Sequence, residues 1–70
     1  MEVGLRIKEI RESNNISQSK LAKKIKILNQ SQICKIENGQ RALKANELAK
    51  IADILNVSIT EIMSKGEENE

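Results

Sequence analysis

The sequence contains no histidine, no proline and no aromatic residue, and each absence narrows what the chain can be. Without histidine the commonest general acid and base is missing, and the lone Cys34 has no partner for a Cys–His nucleophile. Gly4, Gly39 and Gly66 stand far apart, so no glycine-rich phosphate loop exists. One cysteine forms no intrachain disulfide and builds no zinc site by itself. No apolar run approaches the roughly 20 residues of a membrane span, and Met1 to Arg6 lacks the basic-then-apolar pattern of an export signal. Carboxylate-only catalysis would need a water-excluding cleft, for which 70 residues leave little room. The expectation is a cytoplasmic, non-enzymatic protein with no metal, no cofactor, no membrane partner and no small-molecule ligand. Missing aromatics also remove the stacking platforms used on single strands, so a duplex is the better-matched nucleic acid.

What is present is helical. With 39% apolar and 31% charged residues the composition is globular, and the length suits one small domain with a modest aliphatic core. No alternation of useful length suggests a strand; apolar residues instead recur at helical spacing between Asn, Ser and Gly punctuation. The first helix is expected over Val3 to Ser13, burying Val3, Ile7 and Ile10 and stopped by Asn14-Asn15. Ser17 caps a second helix, Gln18 to Lys26, with Leu21, Ala22 and Ile25 inward. A fourth, Ala45 to Leu55, turns Leu48, Ile51, Ala52 and Leu55 inward and stops at Asn56. Ser58-Ile59-Thr60-Glu61 is a capping box opening a short fifth helix with Ile62 and Met63.

The third helix, about residues 29–37, is the most informative. Asn29 with Gln32 forms a capping box, and Gly39 is a left-handed stop. Ile33 and Ile36 share one side, while Gln30, Ser31, Cys34, Lys35 and Asn38 sweep the other. Amides, a hydroxyl and a cation on one face suit base edges and phosphates in a major groove. The ordinary alternative is a solvated helix face. Residues 1–64 hold 11 Lys and Arg against 7 Asp and Glu, compatible with a polyanionic partner. Lys20, Lys23, Lys24 and Lys26 crowd one segment, whereas residues 65–70 form a short acidic tail, expected to be frayed.

Three segments together resemble the Cro/repressor-type helix-turn-helix family, often called the Xre family. They are Ile16-Ser17-Gln18 with Leu21-Ala22, Ile33-Cys34-Lys35-Ile36-Glu37-Asn38-Gly39, and Leu48-Ala49-Lys50-Ile51-Ala52 through Leu55-Asn56-Val57-Ser58. The likeness spans residues 3–64. It implies an all-α, compact five-helix bundle like that of lambda repressor, with the helix-turn-helix formed by helices 2 and 3 in a domain at residues 1–64. Two departures stand out: one extra residue between Ala22 and Ile33, with Lys26-Ile27-Leu28 where the family's turn has a glycine, and a poor cap at Leu43-Lys44 before the fourth helix.

The resemblance assigns base contacts to Gln30, Ser31 and Lys35, and phosphate contacts to Gln18, Asn29, Asn38 and Arg41. Gln pairs bidentately with adenine and Lys donates to guanine, and the Gln18 N–H sits at a positive helix end. It also implies an ion pair between Arg11 and Glu37, structural in role. Cys34 reads as a small residue tolerated near DNA, or alternatively as a redox switch. The function implied is a sequence-specific, double-stranded-DNA-binding transcriptional regulator, a repressor acting by occlusion. Its expected partners are a palindromic operator and a second copy of itself, the dimer formed in solution or only on DNA, with Leu5, Ile54, Ile59 and Met63 as apolar candidates for the contact. The competing reading is a protein-interaction module such as the antitoxin of a toxin–antitoxin pair. The lack of a linker after Met63 favours a whole small protein over a fragment.

Overall fold

The computed structural model describes residues 2–63, and within them five helices follow one another with no strand. They are α1 (Glu2–Ser13), α2 (Gln18–Ile25), α3 (Gln30–Glu37), α4 (Ala45–Leu55) and α5 (Ile59–Met63). The acidic tail expected from Lys65 lies outside the described residues. Helix α1 packs on α3 and α5, α2 on α3 and α4, and α4 on α5. No described helix is long and apolar enough to cross a membrane.

Left-handed residues stop three of the helices in the same way. Asn15 (φ 60°), Gly39 (φ 78°) and Asn56 (φ 62°) follow α1, α3 and α4. In each, the next N–H reaches back to the carbonyl five residues earlier: Ile16 to Arg11 O (3.0 Å), Gln40 to Lys35 O (2.8 Å) and Val57 to Ala52 O (3.0 Å). These are Schellman turns, and Ile16 and Val57 then lie against the core. Helix α2 ends differently. Lys26, at φ 67°, donates its N–H to Ala22 O at 3.1 Å, taking without a glycine a backbone conformation that glycine accepts at no steric cost. The second helix therefore closes at Ile25, one residue earlier than the sequence suggests. The three-residue turn exposes Ile27 and buries Leu28, which absorbs the extra residue and lets Asn29 cap α3 in its expected register.

The core is aliphatic: Ile7 and Ile10 from α1, Leu21 and Ile25 from α2, Leu28, Ile33 and Ile36 around α3, Ile51, Ala52 and Leu55 from α4, and Ile62 from α5. Each fully buried Leu or Ile contributes roughly 1.5–3 kcal/mol. Leu5, Ile59 and Met63 stay exposed, whereas Ile54 and Leu48 are half-buried against the core. Helix α4, whose lead-in lacks a capping side chain, starts by another device. The Glu47 carboxylate accepts the Lys44 N–H at 3.0 Å and is itself gripped by Arg41.

Candidate nucleic-acid interface

Helix α3 is fixed at both ends. At its start, Asn29 Oδ1 accepts the Gln32 N–H (2.8 Å) and Gln32 Oε1 accepts the Asn29 N–H (2.9 Å). At its end, Gly4 of α1 is buried against the α3 backbone; a Cβ there would collide with the carbonyl oxygen of Ile36. Only glycine permits two helices to approach so closely. Ile33 and Ile36 are inward, so Gln30, Ser31 and Lys35 are left exposed on the outer face.

An ion pair locks α3 to α1 from the side. Arg11 Nε donates to Glu37 Oε2 at 2.8 Å and Nη2 to Oε1 at 3.0 Å, while Nη1 caps the Ile16 carbonyl at 2.7 Å. The Arg11 and Glu37 side chains are 7% and 1% exposed, so the ion pair that the family likeness implied is present, and the structure adds that it is buried and bidentate. Its hydrogen bond to Glu37 holds the Arg11 guanidinium above its ordinary pKa, against the opposing effect of burial. Gln18 joins the same carboxylate, its Nε2 donating to Glu37 Oε1 at 2.9 Å.

Between the start of α2, the outer face of α3 and the chain just after it lies an open depression of about 430 Å³. Gln18, Gln30, Ser31, Cys34, Lys35 and Gln40 line it. All three base-contact candidates thus share one concavity with Gln18. Gln40 was missed in the sequence. The signal for it was Gly39, whose left-handed turn brings the following residue back beside Lys35.

The other phosphate candidates lie elsewhere and already have partners. Asn29 Oδ1 serves as the helix cap, and Asn38 Nδ2 reaches Cys34 Sγ at 3.5 Å. Arg41 lines a separate depression of about 340 Å³ with Val3, Gly4 and Leu43 among others. It grips Glu47 through Nη1 (3.0 Å) and Nη2 (3.1 Å). That fork, with the Lys44 N–H, lowers the Glu47 pKa to about 2, against the effect of burial; the bond to Glu47 raises Arg41 in turn.

Two helices joined by a tight turn, the second capped, packed against α1 and presenting a polar concavity, define a helix-turn-helix DNA-binding domain. Comparison with known families agrees. A helix-turn-helix family model matches residues 7–62, and the chain belongs to that family, of the Xre/Cro type. No curated protein and no solved structure matches it. The family is one of DNA-binding regulators, and the domain is accordingly one that binds double-stranded DNA.

Proposed function

We propose that the protein is a sequence-specific transcriptional repressor that inserts the outer face of α3 into the major groove and excludes other proteins from the bound site. The observation that carries this reading is the shared concavity of Gln30, Ser31 and Lys35. Gln30 matches the N6 and N7 edge of adenine, Lys35 the O6 and N7 edge of guanine, and Ser31 either; a good bidentate contact contributes about 1–3 kcal/mol of discrimination. Phosphates are met by the N–H at the start of α2 in Gln18, by the amides of Asn29 and Asn38, and by the Arg41 hydrogens not engaged with Glu47. These contacts orient the domain without reading sequence.

The repressor works as a symmetric dimer on a palindromic operator, with half-sites about one helical turn apart. Exposed Leu5, Ile59 and Met63 on α1 and α5 supply apolar surface for that contact. Those two helices are already neighbours through Arg6 Nε and the Glu61 carbonyl (3.5 Å). The folded domain comprises residues 1–64, and the protein acts in the cytoplasm, where its operator is. The test is selection of bound duplexes from a randomised pool, with affinity measured at two salt concentrations. Enrichment of a palindrome supports the reading. Binding that is weak, steeply salt-dependent and indifferent to sequence overturns it.

A further inference from the structure

Glu37 accepts three N–H groups, and they do not play the same part. Two come from Arg11 and complete a buried ion pair; the third comes from Gln18, which lines the DNA-facing depression. A carboxylate engaged by Arg11 is an acceptor only, so it can hold Gln18 by the amide nitrogen and not by the carbonyl. The choice between the two ends of the Gln18 amide is therefore made by Glu37 and not left to solvent. The end held inward is Nε2. Among the described residues Oε1 accepts no hydrogen bond, and it is the end turned away from the buried carboxylate.

We propose that Glu37 is a positioning residue of the DNA interface: through Gln18 it fixes a carbonyl oxygen toward the groove, where it accepts from an exocyclic amine of a base. A phosphate oxygen would repel that carbonyl. The only donors a major groove offers it are adenine N6 and cytosine N4. Gln18 then contributes to readout by its side chain while its backbone N–H remains for phosphate. The same arrangement makes the ion pair that fastens α1 to α3 also set what the rim of the depression can read. This inference rests on the proposed DNA-reading function of that depression.

The experiment uses the duplex recovered by the selection described above; if no duplex is enriched, it is the DNA-reading function that fails, before this inference is reached. On that duplex, wild type is compared with Gln18→Met, which keeps the length of the side chain and removes the amide. Three series of substituted duplexes are measured: adenine replaced by purine, which lacks N6; cytosine replaced by pyrimidin-2-one, which lacks N4; and single phosphates replaced by methylphosphonate. Loss of one amine is expected to weaken wild type on the order of fivefold, and Gln18→Met by less than about twofold. The series in which this happens identifies the base. A Gln18-dependent loss at a methylphosphonate instead, or no coupled position in any series, overturns the inference.

A second readout does not depend on the variant's affinity. The Gln18 side-chain amide resonances, assigned by their absence in Gln18→Met, are expected to keep the position set by Glu37 when duplex is added. Their movement to an ordinary solvent-exposed position on binding would mean that the amide leaves Glu37 to donate elsewhere, and would also overturn it.

Discussion

Replacing Gly4 by alanine should destabilise this protein, although helix propensity alone argues the opposite. Gly4 lies inside α1, where alanine is favoured over glycine by about 1 kcal/mol. At this position, however, the added methyl meets only backbone. It overlaps the Ile36 carbonyl oxygen and comes within 3.1 Å of the Ile36 carbonyl carbon and 3.2 Å of Glu37 Cα. No side chain can rotate aside to make room, and the carbonyl is held by the Gly39 N–H at 3.1 Å in the turn that ends α3. Overpacking of this kind costs about 1–3 kcal/mol. A purely backbone clash belongs at the upper end, so the net loss is about 2 kcal/mol. Helix α1 must also draw back from α3, which lengthens the Arg11–Glu37 contact spanning the same two helices. A domain of this size has only roughly 4–10 kcal/mol of stability, so the effect is easily read. Urea unfolding followed by circular dichroism should show the midpoint falling by about 1–2 M with little change in slope. Gly39→Ala is the comparison: its surroundings are open and only its φ of 78° opposes a side chain, so it should lose about 1 kcal/mol. A Gly4→Ala midpoint equal to or above wild type would refute the close-approach reasoning.

Arg11→Met should cost about 3–5 kcal/mol by leaving Glu37 charged and buried, and adding Glu37→Leu should recover a large part of that loss in the same urea assay. Lys26→Gly should raise stability by about 1 kcal/mol, because it relieves a left-handed lysine in an exposed turn. The Glu47 pKa is depressed in the folded state, so the stability it contributes is complete above about pH 5. That contribution is lost as pH falls from the ordinary carboxylate value of 4.5 toward about 2. Glu47→Gln should flatten acid unfolding in that window while leaving neighbouring pH ranges parallel to wild type. Attaching a bulky maleimide to Cys34, on the wall of the depression, should abolish duplex binding without loss of helicity.

Local chemistry was legible in the sequence and long-range chemistry was not. The capping box at Asn29 and Gln32 and the left-handed stops at Asn15, Gly39 and Asn56 are decided within a few residues, and all appear as the sequence suggests. The inward faces of α2, α3 and α4 follow from spacing alone. Arg11 and Glu37, 26 positions apart, were paired only through the family likeness, since helical periodicity says nothing of which helices meet. The same limit explains what was missed. Gly4 looked incidental because its reason lies across the fold in the Ile36 carbonyl. Glu47 gave no sign that it would start α4 in place of a capping side chain, since this needs Arg41 to neutralise it. In the second turn, Ile27 and Leu28 are alike in hydrophobicity, and only the left-handed Lys26 decides that Leu28 goes in and Ile27 stays out. Gln40 joined the depression through backbone geometry beyond the end of α3, not through any helical pattern.

The most direct test of the DNA-reading face is the affinity of Gln30→Ala and Lys35→Ala for the selected duplex and for an unrelated duplex of the same length. Lys50→Ala is the control, since Lys50 lines a different depression with Lys24 and Asp53. If α3 reads sequence, each of the first two variants loses at least about fivefold on the selected duplex, in line with about 1–3 kcal/mol per base contact. Their affinity for the unrelated duplex should change by less than about twofold, and Lys50→Ala should alter both duplexes equally and slightly. Wild-type affinity of both α3 variants for the selected duplex would contradict the account.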